Sequence, residues 1–304
     1  MSARRNLLYI LAPSFSGSTL LTYLLAQHPE IATVGELKAT QMGPIEKYRC
    51  SCGALIRECE FWKSMQNEAD AAGIEFSLNK FGTVFDGSGP FSDKIVRASV
   101  RGRLLEQVRG LALRSLPGVA SRLNRIATRN GKLADIICHL QGGSIFLDGS
   151  KDAVRLLHLI NSGYWNVKVI YLQRDGRGVS SSIKSHVGMH FSEAIGEWRR
   201  SVVELQTMRK RLDLPRAFDL RYEDLCNEPA ECMQRMWAWL QIEQLEIQET
   251  RFKNGEYHIL GNMMRLNEMS DIRLDEKWKQ SMSDKDRQMF DTHAGSINRQ
   301  LGYV

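Results

Sequence analysis

The sequence predicts an α/β fold in which helices flank a parallel β-sheet in three layers. Short apolar runs of strand length recur along the chain, and stretches with helical periodicity separate them. This alternation of strands and helices is typical of parallel sheets. The length of 304 residues allows one large domain or two small ones, and we predict a single domain over 1–304. The predicted strands are 7–11, 31–34, 144–147, 167–172 and 217–222.

The first predicted strand leads into a loop of small hydroxylated residues, Pro13–Thr19, and then into an apolar helix. A helix N-terminus with free backbone N–H groups attracts anions, and Gly17 lets the backbone approach a phosphate closely. An ordinary strand–turn–helix with a Ser/Thr cap is the alternative. The pattern G-x-x-x-x-G-K-[ST] of nucleoside triphosphate loops is absent, because no Lys follows Gly17. We therefore expect a phosphate or a 5′-phosphosulfate at this loop.

Charged residues follow three other predicted strands. Glu36, Lys151 and Arg174 all come at carboxyl ends, where open α/β sheets bind ligands. Glu36 is a candidate general base, and Lys151 is a cation at a helix start, which indicates a nearby anion. Arg174 and Ser182, eight residues apart, can converge on one phosphate. For each residue, a solvated or capping side chain without a ligand is the alternative.

The positive charge of the chain is concentrated in one region. The net charge is +6, and eleven Lys or Arg stand against four Asp or Glu between residues 76 and 140. Helical periodicity, broken at Pro117-Gly118, predicts two or three inserted helices within 76–143. Their basic face is either solvated, a wall of an acceptor site for an anionic substrate, or a membrane-surface contact. We expect this helical insertion to cover the acceptor side of the domain.

Three of the six cysteines form the pattern C-x-C-G-x5-C, at Cys50, Cys52 and Cys59. A zinc site needs a fourth ligand, and no neighbouring Cys or His in the sequence supplies one. A thiol-lined turn or a local disulfide is therefore the favoured interpretation, and a metal site is the alternative. We predict no metal-binding residues.

No apolar run reaches the length of a transmembrane helix, and the N-terminal apolar stretch is too short for a signal-peptide core. We therefore expect a cytoplasmic protein. We expect no nucleic-acid partner, and the sequence leaves the oligomeric state open.

With these pieces in place, the chain resembles the sulfotransferase family that uses 3′-phosphoadenosine-5′-phosphosulfate (PAPS). The matching residues are the loop 13–21, the Arg174/Ser182 pair and the motif Arg221-Tyr-Glu-Asp-Leu225. The resemblance implies a P-loop NTPase-like fold, with PAPS as co-substrate and 3′-phosphoadenosine-5′-phosphate (PAP) as product. It also implies that loop 13–19 holds the 5′-phosphosulfate, that Arg174 and Ser182 hold the 3′-phosphate, and that no metal is required.

Two further segments, around Cys50–Trp62 and Gly261–Arg265, resemble a bacterial-type branch of the family. The second of them is a compact polar loop able to fold over a bound nucleotide. The predicted nucleotide-binding residues are Ser14, Phe15, Ser16, Gly17, Ser18, Thr19, Arg174, Ser182, Tyr222, Gly261, Asn262 and Arg265.

One position departs from the family pattern, because Phe15 stands where many members carry a Lys or Arg. We predict that Lys151 supplies the missing cation, with Arg177 as a second candidate, and that Glu36 is the general base. The expected reaction is sulfuryl transfer from PAPS to a hydroxyl of a carbohydrate, lipid or small molecule, which the basic insertion suggests is anionic. A catalytically inactive nucleotide-binding protein and a small-molecule kinase are the alternatives.

Overall fold

The computed structural model describes residues 4–40, 42–249, 257–261, 263–266 and 271–304. Five parallel strands form one sheet with the order β2-β3-β1-β4-β5. The predicted strands are all present, with ends that differ by one or two residues. The strands are β1 Arg5–Leu11, β2 Ile31–Thr33, β3 Ile145–Asp148, β4 Trp165–Gln173 and β5 Ala217–Arg221.

Helices connect the strands and cover both faces of the sheet. In the part of the chain that the structure describes, no helix is both long and apolar enough to span a membrane. The α-helices are α1 Ser18–Ala26, α2 Glu60–Ala71, α3 Pro90–Val96, α4 Arg103–Ser115, α5 Val119–Gln141, α6 Ala153–Asn161, α7 Gly176–Val187, α8 Phe191–Arg209, α9 Tyr222–Asn227, α10 Pro229–Leu240, α11 Lys277–Ser281 and α12 Asp284–Gln300. Short 3-10 helices lie at Leu214–Arg216 and Met263–Leu266.

The central strand β1 separates two apolar cores, because successive side chains of a strand point to opposite faces. Leu7, Tyr9 and Leu11 pack on one face with residues of α5 and α6. Leu8 and Ile10 pack on the other face with residues of α1 and α10. All five of these side chains are buried. The predicted three-layer α/β fold with a parallel sheet is therefore confirmed.

The basic region 76–143 contains three helices, α3, α4 and α5. The predicted break at Pro117-Gly118 separates α4 from α5, and Gly118 adopts a left-handed φ of 73° there. Helix α5 lies against β2 and β3, so its apolar side forms part of the core on that face of the sheet. The side chain of Asn130 in α5 is also buried, and its Nδ2 donates to the carbonyl of Thr83 at 3.1 Å.

A buried ion pair between Asp148 and Arg155 holds the carboxyl end of β3. Asp148 and Arg155 have side chains that are 1% and 3% exposed, and their closest atoms are 2.8 Å apart. Arg155 also donates to the carbonyl of Thr83 and to Asn130 Oδ1, at 2.7 and 2.6 Å. Asp148 accepts from the backbone N–H of Ser150 at 3.0 Å. These bonds fix the loop that carries Lys151.

Replacing Arg155 with Met is expected to lower the free energy of unfolding by about 3–5 kcal/mol, because it leaves the Asp148 carboxylate buried without its partner. Urea unfolding measures this change. The matched control is Arg5→Met, which removes the exposed pair with Asp135 and should cost less than about 1 kcal/mol. Equal losses in the two variants would contradict the structural role of the buried pair.

Candidate active site at the carboxyl edge of the sheet

The loop between β1 and α1 presents its backbone at the carboxyl edge of the sheet. Phe15 and Gly17 both have left-handed backbones, with φ of 61° and 84°. A Cβ on Gly17 would lie 2.3 Å from Cδ2 of Tyr222, so only glycine fits between the loop and this ring. Among the described residues, no side chain caps the N-terminus of α1. The Ser/Thr cap considered as the alternative is therefore not formed, and the helix end can accept an anion.

Ser16 supports the same interpretation. Its side chain is fully buried, and its Oγ has no hydrogen-bond partner within the described part of the chain. Buried hydroxyl groups are nearly always hydrogen-bonded, so a buried hydroxyl without a partner in an anion-binding loop indicates a missing ligand. A phosphate or sulfuryl oxygen is an acceptor that suits this hydroxyl.

Arg174, at the end of β4, lies against this loop. Its side chain is 6% exposed, and its Nη1 donates to the carbonyl of Phe15 at 2.8 Å. Its Nη2 donates to the carbonyl and to Oδ2 of Asp275, at 2.9 and 3.0 Å, and its guanidinium lies 4.5 Å from the ring centre of Tyr222. Arg174, which we predicted to bind a phosphate, thus hydrogen-bonds to the loop and forms an ion pair with Asp275.

Ser182 lies in the second turn of α7 and is half-buried. The carbonyl of Ser182 is 2.9 Å from Nδ1 of His186, and the ring of His186 lies 5.3 Å from the ring of Phe15. Arg174 and the helix that carries Ser182 therefore both meet the loop at Phe15, one through its carbonyl and the other through its ring.

The two predicted catalytic residues form an ion pair. Lys151 Nζ lies 2.5 Å from Glu36 Oε1, and the two side chains are only 16% and 12% exposed. Lys151 holds a left-handed φ of 63°, which is strained for a residue with a side chain. The end of β2 is tied to the end of β3 by a 2.7 Å hydrogen bond from Gly149 N to Gly35 O. The fold thus brings together a base and a cation from adjacent strands.

A cavity of about 570 Å³ opens beside this pair. Its wall is formed by the β1–α1 loop, the Glu36–Lys151 pair, the helical insertion and helix α8. Burial raises the pKa of Glu204 on this wall, and its Oε1 accepts a 2.8 Å hydrogen bond from the backbone N–H of Val100. The residues that characterise the wall are Ser14, Glu36, Lys38, Arg97, Lys151 and Glu204.

The sequence model of the sulfotransferase family matches residues 103–246, from the start of α4 to six residues past α10. Over these 144 residues, a little under half of its length, the chain is similar to the sulfotransferase family. The fold agrees, because the sulfotransferase domain from the curacin biosynthetic pathway has a TM-score of 0.50 with this chain at 15% identity, over 100% of this chain and 99% of that domain. The sulfotransferase domain of the Synechococcus PCC 7002 olefin synthase has 18% identity and a TM-score of 0.49, with 97% of each chain covered. A search of curated proteins found no match.

Three more of the predicted nucleotide-binding residues, Tyr222, Gly261 and Arg265, contact other parts of the protein. The Tyr222 ring packs against Gly17, and its hydroxyl accepts from Asp275 N at 3.2 Å. Gly261 lies beside Glu36, since a Cβ added there would be 2.8 Å from Glu36 Oε1. Arg265 is buried, donates to Gly261 O at 2.5 Å and lies 4.2 Å from the ring centre of Tyr48. Asn262 lies outside the described residues.

Arg177, the second candidate for the missing cation, is held elsewhere. Its guanidinium pairs with Asp175 at 2.6 Å and also donates to the carbonyl of Val304 at 2.7 Å. The hydrogen bond to Asp175 raises the pKa of Arg177 further above its usual value. Lys151 is therefore the better placed of the two cations, because it lines the cavity together with Ser14 of the loop.

Sequence reasoning missed several residues of this site. Lys38 lines the cavity and forms an ion pair with Asp152, and its backbone N–H donates to Ser150 Oγ at 3.1 Å. Its position two residues after Glu36 was a usable signal. Arg97, directly after α3, and Glu204, in α8, also line the cavity. Nothing in the sequence around either residue indicates that the two lie near Glu36.

Proposed function

We propose that this protein is a sulfotransferase that moves the sulfuryl group of PAPS to an acceptor hydroxyl in the cavity beside Glu36. The observation that carries the proposal is the shared wall of that cavity. Ser14, from the anion-binding loop, lines it together with the Glu36–Lys151 pair. A phosphosulfate on the loop would thus present its sulfur toward a base and a cation.

The nucleotide would be held at its two charged ends. The backbone N–H groups at the start of α1 and the hydroxyls of Ser16, Ser18 and Thr19 would bind the 5′-phosphosulfate. Arg174 and Ser182 would bind the 3′-phosphate, which would compete with Asp275 for the Arg174 guanidinium. Binding of a dianion is favoured over one carboxylate, because the guanidinium makes stronger charge-assisted hydrogen bonds to it.

The transfer needs one proton acceptor and a means to stabilise the leaving group. Glu36 takes the proton of the acceptor hydroxyl as its oxygen attacks sulfur in line with the leaving phosphate. The new O–S bond forms while the bond between sulfur and the bridging oxygen breaks, which yields the sulfated product and PAP. Lys151 and the loop donors stabilise the negative charge that develops on the departing phosphate oxygen.

The acceptor cavity favours a polar, hydroxyl-bearing molecule. Arg97 and Lys38 lie on its wall, so a carbohydrate, lipid headgroup or small molecule with an anionic group suits it. Arg97 and Ser99 belong to the segment 76–143, which supports the proposal that the insertion covers the acceptor side. A screen with labelled PAPS against pools of glycans, lipids and small hydroxyl compounds tests this proposal. Transfer of label to a product supports it, and absence of transfer with every pool contradicts it.

One observation favours a second candidate, an inactive nucleotide-binding protein. Phe15 replaces a cation of the family, and its ring packs beside His186 at 5.3 Å. If Lys151 acts only as the ionic partner of Glu36, the leaving oxygen lacks a cation. PAP binding without transfer to any acceptor would support this second function.

Replacing Ser16 with Ala is expected to weaken PAP binding about 10- to 100-fold, since a hydrogen bond to a charged group contributes about 1.5–3 kcal/mol. Thermal stability should stay the same or rise, because the buried Oγ has no partner in the described chain. The control is Ser180→Ala, which removes an equally buried, unpaired hydroxyl in α7. Calorimetric titration with PAP should show the loss for Ser16→Ala alone, and equal affinities for both variants would contradict the assignment.

A further inference from the structure

Four potential metal ligands converge where the cysteine-rich loop meets the late segment 257–261. They are Cys50, Cys52, Cys59 and His258, and their ligand atoms all lie within 4.8 Å of one another. All three cysteines are free thiols. The fourth ligand, which the sequence around the cysteines lacks, is thus supplied by a residue 199 positions after Cys59.

The distances match a tetrahedral zinc site. Zinc bonds of about 2.3 Å to sulfur and about 2.0–2.1 Å to nitrogen give tetrahedral edges of about 3.8 Å between sulfurs and about 3.6 Å between sulfur and nitrogen. Cys52 Sγ lies 3.7 Å from Cys59 Sγ. His258 Nδ1 lies 3.5 Å from Cys50 Sγ and 3.3 Å from Cys59 Sγ. A disulfide, in contrast, requires sulfurs about 2.05 Å apart.

We propose that Cys50, Cys52, Cys59 and His258 bind one structural Zn²⁺ ion. Three thiolates and an imidazole are a donor set typical of structural zinc, and soft thiolates disfavour magnesium or calcium. The four protein ligands fill the tetrahedron, so no position remains for water or substrate. The three thiols release their protons to solvent when the ion binds. The ion would have a structural role and would take no part in the chemistry of the proposed reaction.

The surroundings hold the ligands in place. Cys50 begins a tight turn, in which Gly53 N donates to Cys50 O and Cys50 N donates to Ala54 O, both at 2.9 Å. The ring of Phe61 stacks on His258 with centroids 4.5 Å apart and planes 5° from parallel. Such contacts around the ligands orient the side chains that bind a metal ion.

Ser51 hydrogen-bonds to both sequence neighbours of His258. Its Oγ donates to the carbonyl of Tyr257 and accepts a 2.7 Å hydrogen bond from Ile259 N. The next two residues reach the carboxyl edge of the sheet. Leu260 N donates to Val34 O at 2.8 Å there, and Gly261 lies beside Glu36. The zinc ion would therefore fasten this late segment next to the proposed base.

Metal analysis of the full chain, purified with a phosphine reductant, tests the site. The wild-type protein should hold about one Zn²⁺ per chain, and His258→Ala and Cys52→Ser should each lose most of it. The control Cys226→Ser removes a buried thiol elsewhere and should retain the full amount. Chelation should lower the melting temperature of the wild type and of Cys226→Ser, and leave His258→Ala nearly unchanged.

A spectroscopic readout covers the case in which a ligand variant folds poorly. Exchange of the ion for Co²⁺ in the wild-type chain should produce the visible absorption of tetrahedral, thiolate-bound cobalt, with one equivalent at saturation. Two outcomes would overturn the proposal. One is wild-type protein that holds no Zn²⁺ after reconstitution under reducing conditions, and the other is equal zinc in His258→Ala and Cys226→Ser.

Discussion

Replacing Glu36 with Gln is expected to lower kcat for sulfuryl transfer by about 10²- to 10⁴-fold, the usual contribution of a positioned general base. Gln has nearly the same shape as Glu but cannot accept the proton of the acceptor hydroxyl. The affinity for PAP should stay within about twofold, because the proposed phosphate contacts come from the loop, Arg174 and Ser182 and not from Glu36. Steady-state kinetics with PAPS and an acceptor, together with PAP titration, separates the two effects.

Two other glutamates on the same cavity wall provide a control and a competing candidate for the base. Glu197 is largely exposed and pairs with Arg200 on α8, so Glu197→Gln is the matched control and should keep near-normal kcat. Glu204 is buried and bonded to Val100 N. If Glu36→Gln kept normal turnover while Glu204→Gln lost it, Glu204 would be the base and the assignment of Glu36 would be wrong.

Replacing Lys151 with Met is expected to lower kcat by about 10²- to 10³-fold, as removal of one transition-state charge stabiliser does in other enzymes. Met has nearly the length of the uncharged part of the Lys side chain, and both residues carry a Cβ at this left-handed position, so the change is aimed at the charge. Lys151→Arg should recover part of the activity. The exposed Lys94 on α3 provides the control Lys94→Met, which should leave kcat unchanged.

A double variant distinguishes a direct role of Lys151 from a positioning role. If Lys151 only orients Glu36, the effect of Lys151→Met should vanish in the Glu36→Gln background, because contacting residues that act through one another are not additive. If Lys151 stabilises the leaving oxygen, a further loss should persist in that background. Wild-type kcat in Lys151→Met would show that neither role applies.

The location of the site at the carboxyl edge of the sheet was predictable from local sequence, because Glu36, Lys151 and Arg174 each follow an apolar strand. Glu36 and Lys151 were each placed at a strand end on that basis. Their pairing was not predictable, since it depends on β2 lying next to β3, and chain order alone does not reveal strand order. The sequence also does not show that Gly261 reaches the same carboxylate.

The other features that could not be predicted from the sequence depend on contacts between residues far apart in the chain. His258 completes the cysteine cluster from a distant segment, so a search near the cysteines cannot find it. Asp275 lies 101 residues from Arg174 and shares its guanidinium. In the insertion, Arg122 pairs with Asp86 and Arg129 with Glu75, so part of the basic charge that the sequence displays is neutralised within the fold.

The most direct test of the proposed PAPS-dependent transfer is a comparison of PAP with AMP by isothermal titration calorimetry. The two ligands differ only in the 3′-phosphate, which we assign to Arg174 and Ser182. PAP should bind about 10- to 100-fold more tightly than AMP, since charge-assisted hydrogen bonds to that phosphate contribute about 1.5–3 kcal/mol. Equal affinities for PAP and AMP, or tighter binding of ATP than of PAP, would contradict the account.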